Sequence, residues 1–115
     1  MKILTRLVIV LIVASISTAT LAEEDLPPDQ WPETVDAVVQ DIIKGMPQQD
    51  QKRIRETSRE DLIQFHHGWG TGIRNYYGLW RGNKKLILSA CGKPCQPDDA
   101  SMIIIEAVWE ALQKQ

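Results

Sequence analysis

The chain has 115 residues, with 13 lysines and arginines against 15 aspartates and glutamates and a formal net charge of −2. That length supports one hydrophobic core and no more. An acidic balance excludes the phosphate-neutralising surface from which nucleic-acid binders draw their affinity, so no nucleic-acid partner is expected.

The first segment, MKILTRLVIVLIVASISTATLA, places Lys2 and Arg6 ahead of an uncharged apolar run over residues 7–16 and small residues up to Ala22. The order of basic, apolar and small residues is that of a secretory signal peptide, because the apolar run is too short to span a bilayer. Residues 1–22 are therefore expected to be removed after Ala22, leaving a periplasmic or secreted protein. The alternative is an uncleaved anchor, the one route by which a membrane would become a partner. No cysteine follows the small residues, so no lipid attachment is indicated. Without Lys2 and Arg6 the remaining chain carries 11 basic and 15 acidic side chains, a net charge of −4.

Residues 23–30, EEDLPPDQ, are acidic, proline-containing and aperiodic, and read as an extended lead-in. The domain proper is expected over residues 31–115. Val35, Val38, Val39, Ile42 and Met46 recur at the spacing of one helical stripe, which Gly45 and Pro47 bring to an end. Residues 48–56 carry only Ile54 as an apolar anchor and read as a short, mostly solvated helical turn. Ser58 followed by Asp61 resembles a capping box opening a third helix near Arg59. In that helix Leu62, Phe65 or His66, Trp69, Gly72 or Ile73, and Tyr76 keep the period as far as Gly78, a suitable C-terminal stop.

Residues 84–90 form a further short apolar helix. The pair Cys91 and Cys95 follows in CGKPC, where Gly92 supplies the backbone freedom that a small disulfide ring needs in an oxidising compartment. A redox-active pair would open a helix beside a strand, and a zinc site would need more ligands; neither pattern is present, so no cofactor and no metal are expected. Pro97 at a first helical position, with Asp98 and Asp99 behind it, launches a last helix to about Lys114. Its run over residues 102–105 is apolar all round and is expected to pass through the centre. The predicted fold is all-α, a single compact domain of four to five helices.

The densest stretch is HHGWGTGIRNYYGLWRGN, residues 66–83. Three glycines inside the expected helix cost roughly 1 kcal/mol each relative to alanine. Gly68 and Gly72 share a face, and close approach of the C-terminal helix there is the expected compensation. His66 falls at the edge of the core; His67 and Arg74 share a neighbouring, more exposed line. Arg74, Asn75, Arg81 and Asn83 flank a GLW turn, where arginine forks and asparagine amides suit either loop pinning or recognition of a carboxylate. Trp31, Trp69 and Trp109 occupy helix-stripe or helix-flanking positions, which leaves Trp80 as the exposed tryptophan. Aromatic rings beside arginines are what protein interfaces use as anchors.

On these residues the chain resembles a bacterial family of domains of unknown function with the signature H-x-G-x-G-x-x-I-R-N-x-x-G-L-W-x-x-N. The match falls on His66, Gly68, Gly70, Ile73, Arg74, Asn75, Gly78, Leu79, Trp80 and Asn83. It continues through Pro97, Asp98, Asp99, Ala100 and Ser101, then Ala107, Val108, Trp109 and Leu112. The resemblance implies a compact helical domain and assigns no activity.

The leading expectation is a non-enzymatic exported factor of the inhibitor, immunity or envelope-stress kind. It would bind another protein through Arg74, Asn75, Trp80, Arg81 and Asn83. The alternative is a small enzyme or ligand-binding protein in which His66 acts as a base while Arg74 and Asn75 hold an anionic substrate. A structural envelope component is a third reading, distinguished by an oligomeric partner. An enzyme would require a concave pocket where the His66 imidazole reaches solvent beside Arg74 or Asn75.

Overall fold

The computed structural model describes residues 24–115, so the expected signal peptide lies outside the described residues. Among those described, the chain is all-helical and forms a single domain. Five α-helices are present: α1 (Val35–Gly45), α2 (Gln48–Arg55), α3 (Trp69–Tyr76), α4 (Lys84–Cys91) and α5 (Pro97–Gln113), with 3-10 segments at Pro28–Gln30 and Arg59–Phe65.

The last helix organises the rest. α5 packs against α1, α2, α3, α4 and the Arg59–Phe65 segment, whereas α1 and α3 scarcely touch each other. Pro97 begins it with its missing N–H among the unpaired groups of a first turn, and Asp98 and Asp99 complement the dipole. Its inward face buries Ala100, Ile104, Ile105, Val108 and Leu112 completely. Each of the larger of these side chains contributes roughly 1.5–3 kcal/mol by leaving water. The expectation of an apolar run buried on all sides is corrected at Ile103, which is 38% exposed.

α1 follows its stripe, with Val38 and Val39 buried and Thr34 accepting from the Ala37 N–H as its N-cap. Where Pro47 stops it, the buried Gln51 amide of α2 donates to the Ile43 and Met46 carbonyls. Ile43 O also accepts from the Met46 N–H at 3.2 Å, whereas Met46 O lies past the helix end, beyond reach of the intrahelical ladder. The solvated second helix thus has two inward residues, Gln51 as well as Ile54.

One long helix from Arg59 to Gly78 does not form. The 3-10 segment stops at Phe65, residues 66–68 turn, and α3 restarts at Trp69. Gly68, at φ −84° and ψ −82°, is the N-cap of α3. The break frees two carbonyls, and side chains take both: Arg74 Nη2 donates to His66 O at 3.3 Å, and Thr71 Oγ1 donates to His67 O. Ser58 does not cap this region in the expected way, because its hydroxyl donates to the Asp61 carboxylate at 2.9 Å and accepts no backbone N–H.

The glycine expectation is corrected as well. Among the described residues, no neighbouring atom lies within 4 Å of a Cβ built on Gly68 or Gly72. Close packing falls instead on Gly70, whose Cβ would sit 3.1 Å from Arg74 Nη1, 3.3 Å from Phe65 O and 3.6 Å from Ile105 Cδ1. The stop at Gly78 is as expected: its φ is +75°, Leu79 N–H bonds Arg74 O at 3.0 Å and Gly78 N–H bonds Asn75 O at 3.4 Å. That pair of bonds is a Schellman motif, which a left-handed glycine permits.

The lead-in is extended over residues 24–27, then makes its 3-10 turn, and it is docked rather than free. Leu26 N–H bonds Tyr76 O at 3.0 Å, and Trp31 Nε1 returns to Leu26 O at 2.9 Å. At the other end of the domain Cys91 and Cys95 form the expected disulfide. It closes the turn between α4 and α5, with Gly92 at φ +73°.

Candidate functional site

The expected site residues converge on one end of the domain, where α3, the 78–83 turn and the first turn of α5 meet. Arg74 is the central cation. Only 5% exposed, it donates Nη1 to Ser101 Oγ at 2.9 Å and Nη2 to Thr71 Oγ1 at 2.9 Å, besides the His66 carbonyl. Its Nε lies 3.7 Å from Asp98 Oδ1, too long for a hydrogen bond. The guanidinium therefore pins α3 to α5 and holds the 66–68 turn closed. Three of its five N–H donors are spent on these acceptors within the protein, and only 5% of the residue reaches the surface.

His66 sits at the edge of the core as expected, its Nε2 3.7 Å from Asp98 Oδ2. Two buried nitrogens here, His66 Nδ1 and Arg74 Nε, have no hydrogen-bond partner. His67 is exposed and lies edge-on to His66, the ring centroids 4.9 Å apart. It does not share a helical line with Arg74, because the helix is interrupted between them. Folding also brings Ser101, which sequence reasoning did not single out as a site residue, beside His66 and Asp98. A serine, a histidine and an aspartate thus gather, but not as a nucleophilic triad. Ser101 is wholly buried, and its hydroxyl is occupied in donating to Asp98 O at 3.0 Å and accepting from Arg74. The amide of Asn75 is exposed and makes no hydrogen bond with His66 or Arg74. Two concavities of about 600 and 400 Å³ are lined by other residues, not by His66, Arg74 or Asn75. Among the described residues, no three His, Cys, Asp or Glu side chains come together as metal ligands.

The turn over residues 78–83 is rigidly held. Arg81 Nη2 donates to Leu26 O at 3.0 Å and Asn75 O at 3.1 Å, and its guanidinium carbon lies 5.3 Å from the centre of the Trp31 ring. Asn83, 4% exposed, caps α4 by accepting from Leu86 N–H while its Nδ2 donates to Tyr77 O at 2.8 Å and Pro32 O at 3.1 Å. Gly78 presses against Trp31 so closely that a Cβ there would fall 2.2 Å from the indole. Asn83 thus spends its amide on the scaffold, and the exposed Arg81 spends its Nη2 there.

Trp80 is what this scaffold presents. It is 56% exposed, its ring 6.0 Å from the Arg74 guanidinium carbon, above the polar cluster. The same turn borders a cleft of about 400 Å³, lined by its Leu79, Gly82 and Asn83, by Ile87 and Leu88 of α4, and by the disulfide loop. Leu88, on the cleft wall, is 48% exposed. The arrangement offers apolar area and shape, not acid–base chemistry.

A family model described as a domain of unknown function (DUF6794) matches residues 31–112. No curated protein and no solved structure matches the chain.

Proposed function

The chain belongs to the DUF6794 family, and for this member we propose a non-enzymatic, exported protein-binding factor of the inhibitor, immunity or envelope-stress kind. Trp80 is its anchor. The observation that carries the reading is an exposed tryptophan on a turn whose every flank is pinned by buried or backbone-directed hydrogen bonds. Ordering a loop at an interface costs roughly 0.5–1.5 kcal/mol per immobilised side chain, and a turn already fixed avoids most of that cost. Tryptophan and arginine are among the residues most enriched at interface hot spots. The contact surface is accordingly narrower than the five expected residues: Trp80 with the adjoining Leu88 cleft, and Arg81 and Asn83 as its supports.

Export rests on the order of residues in the first 22 positions. It places the partner in the periplasm or outside the cell, where the expected N-terminus is Glu23.

The test is capture from periplasmic extract by the purified protein, by Trp80→Ala and by Ile63→Ala. Ile63 is 63% exposed, as open as Trp80, but belongs to the Arg59–Phe65 segment and not to the turn. A partner retained by Ile63→Ala and lost by Trp80→Ala supports the reading. Identical capture by all three contradicts it.

A further inference from the structure

A second concavity, of about 600 Å³, lies between α1–α2 on one side and the Arg59–Phe65 segment with α3 on the other. It exists because both sides rest on α5 and scarcely on each other. One wall is a helical stripe in which Phe65, Trp69, Gly72, Ile73 and Tyr76 recur across the 66–68 break; Ile42, Met46 and Ile54 face it. It plays no part in the Trp80 reading.

Gly72 is the informative residue. A glycine inside a helix costs roughly 1 kcal/mol relative to alanine. Gly70 is explained by its tight neighbours and Gly78 by its positive φ, but nothing among the described residues comes within 4 Å of a Cβ on Gly72. It faces the groove, and so does Gly45 on the opposite wall, equally open. Bare backbone at one point on each wall is what close approach of another helix requires.

The charges on the rim indicate the sign of the occupant. Asp41 and Asp50 line it, and neither is in an ion pair among the described residues. One Asp41 oxygen accepts from Tyr77 at 2.6 Å, and the other is available. The single rim cation, Arg53, is turned onto the Phe65 ring at 5.5 Å. Aromatic faces beside carboxylates favour a cation over an anion.

We infer that this groove receives an amphipathic helix of a partner protein, its apolar face against the Phe65–Ile73 wall and a lysine or arginine on the flank that meets Asp41 and Asp50. A stripe of anchors at i, i+3 or i+4 and i+7 is how helices are read by such grooves.

The probes are a leucine–lysine amphipathic peptide of about 15 residues, a length at which helices become marginally stable alone, and the same peptide with each lysine replaced by glutamate. Binding is followed by amide and indole NMR shifts of the exported, disulfide-bonded protein. The leucine–lysine peptide is expected to shift Gly45, Gly72 and the Trp69 indole saturably. An Asp41→Asn, Asp50→Asn double variant is expected to bind at least about fivefold more weakly, the scale of two exposed ion pairs. Gly72→Leu, whose side chain enters open space, is expected to keep the fold and lose the shifts, while Trp80→Ala binds as the wild type does. The last variant separates this inference from the proposed function. It is overturned by the absence of saturable shifts, by equal affinity for the glutamate peptide, by shifts that bypass Gly72, or by undiminished binding to Gly72→Leu.

Discussion

Replacing Gly70 and Gly72 one at a time by alanine should move stability in opposite directions, although the two residues stand two positions apart in the same helix. At Gly72 the new methyl meets nothing within 4 Å, so only the helix-propensity term operates, a gain of roughly 0.8–1.0 kcal/mol. For a domain of this size that is a rise in Tm of about 4–8 °C. At Gly70 the methyl would stand 3.1 Å from Arg74 Nη1 and 3.3 Å from the Phe65 carbonyl. Neither neighbour gives way easily, because the guanidinium is held by Ser101, Thr71 and the His66 carbonyl. Overpacking of this kind costs about 1–3 kcal/mol, which equals or exceeds the propensity gain. Equilibrium urea unfolding followed by far-UV circular dichroism reads both variants, and an unchanged m-value makes the midpoint shift a stability shift. A stabilised Gly70→Ala or a destabilised Gly72→Ala would refute the assignment of packing to Gly70.

Three further outcomes follow from the same geometry. Arg74→Lys keeps the charge but cannot satisfy three acceptors with one ammonium in that fork's place, and thermal melts should show a loss of about 2–3 kcal/mol, the scale of a hydrogen bond to a charged group. Burial, and after it the hydrogen bond to Asp41, raises the Tyr77 phenol above its ordinary value of 10.0, so the folded protein keeps a proton that the unfolded chain releases. The stability this group contributes is therefore whole below pH 10 and declines above it by up to about 1.4 kcal/mol per pH unit; urea midpoints across that range should fall more gently for Tyr77→Phe. Replacing Cys91 and Cys95 by alanine opens a ring of five residues and should cost about 2 kcal/mol on the chain-entropy estimate, and mass spectrometry of the wild type should show a gain of two hydrogens only after reduction.

The helical periods in the sequence located α1, α4 and α5 to within a residue or two, because each stripe faces one partner and ends at a proline, a glycine or the cysteine turn. The break at residues 66–68 was not legible, since Leu62, Phe65, Trp69, Ile73 and Tyr76 keep their period straight through it. Side chains satisfy the break: Thr71 and Arg74 take the His67 and His66 carbonyls that a continuous helix would have used, and Ser101 of α5 holds Arg74 in place. The glycines failed for a related reason. Residue type announces that a side chain is missing, but only the neighbours say whether the gap is filled, as at Gly70, or open, as at Gly72.

At the candidate site the exposure of Trp80 was readable by elimination, because the other three tryptophans had helical or helix-flanking places. Each of those is half-buried. The inward use of Arg81 and Asn83 was not readable, for their partners are backbone carbonyls of Leu26, Pro32, Asn75 and Tyr77, which carry no sequence signal. Nor could the sequence show that Asp98 and Ser101 would close around Arg74 from 24 and 27 positions away.

The most direct test of a binding role for the Trp80 turn is photo-cross-linking in living cells, with Trp80 left in place and a benzophenone side chain put at position 88, on the wall of the cleft, in one strain and at position 63 in another. Leu88 is 48% and Ile63 63% exposed, so the comparison asks about the proposed contact surface and not about exposure. A binding role predicts a discrete adduct of one envelope or secreted protein from position 88, lost when Trp80→Ala is added, and none from position 63. Absence of an adduct at position 88, an adduct that survives Trp80→Ala, or the same adducts from both positions would contradict it.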